Sequence, residues 1–252
     1  MQTINHKSLE RGYVVSDLHL FSPCSRYREL LPKLQADCSH YPVVVLNGDT
    51  FEIKRSTENS VDDIAINCAT WLQELCETNS KTTFYYIIGN HDAHSTLTSH
   101  LQGLAANISN LKVVPHILTI GSNLFIHGDV IEPGACMFGI ESVRERYKHL
   151  SPSKLSTLLA MTITTLRLNV VEYLRHQKTT LAERIISYVS HYEPQQLEGI
   201  KTIFFGHTHV SFSNFSHEGI TFHNTGSFIK GLKWNPMSFE LPSGTHQATR
   251  QK

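Results

Sequence analysis

Five short apolar runs in this chain each close in a polar cluster rich in Asp, His or Asn, and that recurrence limits the folds open to it. Tyr13-Val14-Val15 leads into Asp17-Leu18-His19, and Val43 to Leu46 into Gly48-Asp49. Phe84 to Ile88 leads into Gly89-Asn90-His91-Asp92. Leu124-Phe125-Ile126 leads into His127-Gly128-Asp129, and Ile203-Phe204-Phe205 into Gly206-His207-Thr208-His209. A run of about four to six β-prone residues that stops at Gly and a ligand-type side chain reads as a buried strand presenting that side chain at its end. Asp17 and His19 can point to one side only where the strand has already ended and turned. Strand-like runs at 12–16, 43–48, 83–89, 112–119, 123–128, 202–206, 210–215 and 219–223 are interleaved with helical patterns at 26–36 and 62–77. In the second helix Ile64, Cys68, Trp71, Leu72 and Leu75 form an apolar stripe. Strands with helices between them, then strands in close succession, predict an α/β fold of two stacked sheets with helices outside.

The polar clusters hold carboxylate, amide and imidazole groups but no thiolate, a set suited to Mn²⁺, Mg²⁺, Fe²⁺ or Zn²⁺. Asp49 is the natural bridging ligand, because one carboxylate can hold two cations. Two ions about 3.5–4 Å apart clamp the attacking and departing oxygens of an in-line displacement at phosphorus. Asn90 adds a neutral oxygen, which leaves more positive charge for a phosphate than another Asp would. With His127, His207 and His209, the candidate metal ligands are Asp17, His19, Asp49, Asn90, His127, His207 and His209. His91 follows Asn90 directly and is the candidate proton donor, since imidazole titrates near neutral pH. Glu52, three residues after Asp49, is the candidate to hold its other nitrogen, raising its pKa and fixing its tautomer. Asp92 and Asp129 read as supporting or turn residues, and His94, His116 and His223 as ordinary loop or strand histidines. Taken singly, each cluster is an ordinary turn or surface tripeptide. Taken in order after five strands, they make a site.

The ordered pattern Asp-x-His, Gly-Asp-x-x-Glu, Gly-Asn-His-Asp, His-Gly-Asp, Gly-His-Thr-His resembles the calcineurin-like metallophosphoesterase superfamily, from Asp17 to His209. The resemblance implies a four-layer αββα sandwich of two mixed sheets. It implies one ion held by Asp17, His19, Asp49 and His209, and another by Asp49, Asn90, His127 and His207. It also implies that His91 acts as the acid, oriented by Glu52 at a position where the family commonly has Asp. Within the superfamily the chain looks most like the bacterial UDP-2,3-diacylglucosamine pyrophosphatase group. The shared features are Ser16-Asp17-Leu18-His19-Leu20, a Gly-Asp-x-Phe-Glu at 48–52, the His-Gly-Asp at 127–129 and a long helical insert before the last histidines. That group splits a nucleotide-linked acyl sugar under a helical cap at the membrane surface. It carries Arg after the Asn of the third motif, where this chain has His91, the general superfamily choice. Asn224-Thr225-Gly226-Ser227 likewise follows the general pattern.

At 252 residues the chain accommodates one α/β domain over 1–242 and a flexible tail at 243–252. Lys plus Arg equals Asp plus Glu at 22 each, so no global field points to nucleic acid. Five cysteines form no Cys-x-x-Cys pair, and with no signal-like N-terminus they read as reduced thiols in a cytoplasmic chain. The insert, about 137–192, reads as helices at 140–150, 155–176 and 181–191. Leu155, Leu159, Ile163, Leu166, Val170 and Tyr173 make one stripe, and Arg167 and Glu172 exclude a membrane span. These helices either pack on each other and on the sheets, or form a cap offering an apolar groove to a substrate tail, a second subunit or a membrane surface. Arg144, Arg146, Lys148 and His149, with Arg26, Arg28, Lys54, Arg55, Lys230 and Lys233 on neighbouring loops, are candidates to bind phosphate.

The expected function is hydrolysis of a phosphate ester or pyrophosphate bond in a small, lipid-linked or nucleotide-linked substrate. The expected cofactors are two divalent ions, with Mn²⁺ first and Fe²⁺, Mg²⁺ or Zn²⁺ as alternatives. Metal-bound hydroxide would attack phosphorus, Asn90 would share in stabilising the added charge, and His91 would protonate the leaving group. A phosphodiesterase or nuclease would need a basic groove or base-stacking platform, which balanced charge disfavours. A metal-free scaffold of the same fold should have lost ligands, whereas all seven positions are filled. Oligomeric state is not legible.

Overall fold

The computed structural model describes residues 10–56, 58, 60–165 and 177–242. Two mixed five-stranded sheets carry the architecture. The first has the order β10-β1-β2-β3-β4, with β1 (Arg11–Val15), β2 (Val43–Asn47), β3 (Thr83–Ile87) and β4 (Leu111–Val114) parallel. Strand β10 (Met237–Glu240) adds antiparallel to the β1 edge. The second has the order β5-β6-β7-β9-β8. Here β6 (Asn123–Ile126), β7 (Thr202–Phe205) and β9 (Ile220–Asn224) are parallel, while β5 (Ile117–Ile120) and β8 (Phe212–His217) run antiparallel at the edges.

Alternation along each strand sorts the side chains into layers. Val14, Val45, Tyr85 and Ile87 of the first sheet meet Leu118, Phe125 and Phe204 of the second in a dry layer between them. Their neighbours Val15, Val44, Leu46, Phe84 and Tyr86 point the other way, toward α1 (Tyr27–Cys38), α2 (Val61–Thr78) and α3 (Ser95–Asn107). Leu124, Ile126, Ile203 and Phe205 point toward α7 (Lys178–Tyr192), which buries Leu181, Ile185 and Val189. Both faces of each central strand are covered, which is why those strands read as unbroken apolar runs. Ser60 caps α2 through bonds from the Asp62 and Asp63 amides, and the same two acids favour the positive helix end.

The structure departs from the sequence reading in four places. The single run expected at 112–119 is two strands, one in each sheet, parted by Pro115. Proline has no N–H for a ladder, so the chain leaves the first sheet there and crosses to the second. Helix α3 was not legible in its Ser- and Thr-rich first turns; His94 caps it by accepting from the Thr96 amide at 3.1 Å, and Leu97 and Leu101 anchor it. Strand β10 escaped notice because it is four residues long and follows Pro236. The helix expected at 140–150 ends early: α5 (Ile140–Arg144) passes into a 3₁₀ turn, Glu145–Tyr147, and is preceded by a short α4 (Ala135–Phe138).

The insert between β6 and β7 therefore has two characters. Helix α7 is built into the second core. Helix α6 (Lys154–Thr165) leaves Leu155 78% exposed, with Leu158, Leu159 and Met161 exposed beside it. The remainder of the helix expected at 155–176, including Leu166, Arg167, Val170, Glu172 and Tyr173, lies outside the described residues, as does the tail at 243–252. Among the described residues, no helix is long and apolar enough to cross a membrane. All five cysteines are free, and Cys136 alone is exposed.

Candidate metal centre

The ends of β1, β2, β3, β6 and β7 converge on one edge of the sandwich, and the loops leaving them turn abruptly. Asp17, His19, Asp49, His207 and His209 all have positive φ, between 45° and 65°. This left-handed conformation is unfavourable by about 1–2 kcal/mol per residue for side chains other than Gly. Five such residues at strand ends persist because their surroundings fix them. The Asp17 amide bonds the Gly48 carbonyl and the His19 amide the Asp49 carbonyl, both at 3.0 Å. Asp17 accepts the His207 amide on both oxygens, at 3.1 and 3.0 Å, and Asp49 accepts the His91 amide at 2.8 Å. Backbones approach so closely that a Cβ at Gly206 would strike the Asp17 carboxylate, and one at Gly89 the Asp49 carboxylate.

The side chains gather in two sets. Asp17, His19 and His209 offer ligand atoms within 4.8 Å of one another, and so do Asp49, His127 and His207. His19 Nε2 lies 3.0 Å from His209 Nε2, and His209 Nε2 lies 3.3 Å from Asp17 Oδ1. In the second set Asp49 Oδ2 is 3.1 Å from His127 Nε2. Asn90 Oδ1 joins it, 3.2 Å from His127 Nε2 and 3.0 Å from His207 Nδ1. Asp49 is also electrostatically coupled to Asp17 and His19 of the first set. All seven residues expected as ligands are thus brought to one place.

The chemistry of these contacts tests whether cations fit. His127 Nδ1 donates to the Asn47 carbonyl at 3.2 Å, which leaves Nε2 facing Asp49. Burial opposes a charge on the ring, but Asp49 and Asp17 outweigh it and push its pKa up to about 10, so a bound cation would displace the Nε2 proton. His207 Nε2 lies 3.0 Å from Glu132 Oε1, which leaves Nδ1 with its lone pair facing inward. Nε2 of His127, Nδ1 of His207, Asn90 Oδ1 and Asp49 Oδ2 then face one another as ligand-type atoms, with the His127 Nε2 proton where a cation would replace it. Neighbouring donors around an ion with bonds of about 2.1 Å stand about 3 Å apart. The observed spacings match that value. Buried Asp17 and Asp49, both held below the usual carboxylate range by the adjacent histidines despite burial, add the negative charge two divalent ions require.

His91 sits at the rim with 14% of its side chain exposed, and its Nδ1 is 3.1 and 3.0 Å from the two Glu52 oxygens. Burial opposes its positive charge, but Glu52 and Asp49 outweigh this and push its pKa up to about 9. Glu52 is fully buried, which favours the neutral acid, yet His91 holds its pKa at about 2. Its second oxygen also lies 3.7 Å from His19 Nδ1, a buried nitrogen with no hydrogen bond. Glu52 thus bonds His91 and stands near His19 without a hydrogen bond to it.

Arg144 takes a role different from the one expected, whereas Asp129 and Asp92 are the supporting residues the sequence implies. Arg144, a candidate phosphate ligand, is 3% exposed and forks onto buried Asp129 at 2.8 and 3.3 Å, with further bonds to the Ile88 and Pro115 carbonyls. It is a strut, and Asp129 is its anchor. Asp92 accepts the Gly89, Thr50 and Phe51 amides and so ties the third motif loop to the second. Asn47 donates to the Ile126 and Phe204 carbonyls of the opposite sheet, joining the sheets beneath the site. Of the basic candidates outside the insert, only Arg55 lines the cavity above the metal sets. That cavity, about 740 Å³, is open to solvent and lined on the insert side by Tyr147, Gln177, Thr180 and Arg184, which the sequence does not single out.

Strand-end carboxylates, imidazoles and an amide converging from two stacked sheets form candidate ligand groups of the kind a metal-dependent hydrolase uses. The sequence profile described as calcineurin-like phosphoesterase matches residues 11–211, and the chain belongs to that family. The family depends on two metal ions and acts on phosphorylated substrates, and this chain is a phosphoric ester hydrolase. No curated protein matches the chain. Solved structures similar to it include a phosphopantetheinyl hydrolase from Mycobacterium tuberculosis, at 11% identity over 87% of this chain and 90% of that one, with a TM-score of 0.46. A dimetal phosphatase from Danio rerio matches at 11% identity over 93% and 99%, TM-score 0.45. A nuclease from Pseudomonas putida matches at 11% identity over 95% and 84%, TM-score 0.42.

Proposed function

We propose that Asp17, His19, Asp49 and His209 hold one divalent ion and that Asp49, Asn90, His127 and His207 hold the other, with Mn²⁺ the first choice. Such a pair, when bound, polarises phosphoryl oxygens and lowers the pKa of water between them. The observation that carries this reading is the set of ligand-type atoms gathered at about 3 Å around Asn90 and Asp49. His91 keeps a proton for the leaving oxygen, because Glu52 stabilises its charged form and fixes Nδ1–H, which turns Nε2–H toward the cavity. Asn90, lining the cavity, would hold the second ion through Oδ1 and leave its amide nitrogen free to donate to a phosphoryl oxygen. Arg55 stands on the His91 side and neutralises charge on a bound phosphate.

We further read 1–242 as one domain in which the insert lines one side of the substrate cavity. A space of about 740 Å³ is large for a bare phosphate and suits a phosphate ester or diphosphate with an organic group, small, nucleotide-linked or lipid-linked. A Mn²⁺-supplemented screen of aryl phosphomonoesters, bis-aryl phosphates and nucleotide-diphospho-sugars with and without acyl chains tests this. Turnover abolished by chelation and restored by Mn²⁺ is the expected result. Turnover of single-stranded DNA above all of these would move the reading to a nuclease.

A further inference from the structure

The ligand histidines differ in what holds their outer nitrogens. His127 Nδ1 faces a neutral backbone carbonyl, that of Asn47, at 3.2 Å. His19 Nδ1 makes no hydrogen bond, and its nearest carboxylate oxygen, on Glu52, is 3.7 Å away. His207 Nε2 instead meets a carboxylate directly, Glu132 Oε1 at 3.0 Å. Resting on the metal reading above, we infer that Glu132 is a positioning residue that holds His207 with Nδ1 turned into the second metal set and makes that ring a stronger donor.

The placement of Glu132 follows from its chain. It ends the 3₁₀ turn Asp129–Ile131, so the loop that supplies His127 also supplies the carboxylate for His207 on the next loop. That turn is pinned on both sides: the Arg144 fork holds Asp129, and Arg184 of α7 donates to the Ile131 carbonyl at 3.0 Å. The second Glu132 oxygen lies 3.9 Å from Arg146, whose side chain is largely exposed, so that contact adds little. Because Nε2–H is donated outward, the lone pair of His207 is on Nδ1, the atom 3.0 Å from Asn90 Oδ1. A ring free to rotate or change tautomer would present that lone pair only part of the time. Carboxylates in this position typically change metal affinity by about 10- to 100-fold.

Titrating metal-depleted protein with Mn²⁺ by calorimetry, against wild type and His207→Ala, tests this without measuring turnover. Glu132→Ala is expected to weaken one of two sites by about 10- to 100-fold and leave the other unchanged. Glu132→Gln, which can still accept the Nε2–H bond but lacks charge, is expected to recover part of the loss. Wild-type affinity at both sites in Glu132→Ala, while His207→Ala loses one, overturns the inference and leaves the metal reading standing. Equal weakening of both sites also overturns it, since a local positioning role affects one. If His207→Ala retains both sites, the assignment of His207 as a ligand fails and the inference falls with it.

Discussion

The strand-end loops and the inserted helices sit against the same cavity and obey different rules. In the loops, backbone and side-chain bonds tie one motif to the next, five ligand-type residues are locked at positive φ, and Asp17, Asp49, His19 and His127 are buried to 1% exposure or less. The insert is joined to the body through α7 and the Arg144 fork, while α6 turns leucines to solvent. Chemistry that needs donor atoms placed within a few tenths of an ångström is put on rigid, over-determined turns. Contacts that meet a particular substrate are left to the more loosely held segment.

The largest effect should come from the centre of the rigid region. Asp49→Asn is expected to lower turnover by at least about 10⁴-fold, because in the proposed assignment Asp49 would hold both ions, and metal analysis should find fewer than two per chain. Next is the strut between the regions. Arg144→Met leaves Asp129 buried without its counter-charge and should destabilise the fold by about 3–5 kcal/mol in urea melts. Burial favours the neutral form of Asp129, but Arg144 holds its pKa below the ordinary value. A depressed carboxylate contributes stability that is present above its unfolded pKa of about 3.9 and is lost as pH falls through the lower folded value. In the variant burial instead raises the Asp129 pKa, so the gap between wild type and variant should widen as pH rises from acid through that higher value; a gap independent of pH throughout would refute the coupling.

His91→Ala should cut turnover by about 10²–10⁴-fold on alkyl phosphates and far less on nitrophenyl esters, with metal content unchanged. Equal losses on both would deny it the role of acid. At the small end, Leu155→Ser on the exposed face of α6 should alter stability by less than about 0.5 kcal/mol, whereas Ile185→Ala on α7 should cost about 2–5 kcal/mol. Similar costs for both would mean the insert is uniformly built in.

What was legible in the sequence follows the same division. Central strands covered on both faces write themselves as apolar runs, and the Gly-plus-ligand endings mark where each stops, so the two mixed sheets with flanking helices were readable. The seven candidate ligands and the His91–Glu52 partnership were readable as residue types in order. Their mutual distances were not, because those depend on two sheets meeting. Glu132, Asn47 and the Arg144–Asp129 fork stayed hidden for that reason: each partners a residue or carbonyl that only packing brings near. Helix α3 and strand β10 were lost to local composition and shortness. Pro115 marks where 112–119 divides between the two sheets.

Electron paramagnetic resonance of Mn²⁺-loaded protein tests the central claim most directly, since two ions sharing the Asp49 carboxylate must be exchange-coupled. The account predicts a coupled two-ion spectrum in wild type that is lost in His207→Ala and in Asp49→Asn. A spectrum of isolated ions in wild type at two equivalents of Mn²⁺, or saturation at a single ion, would contradict it.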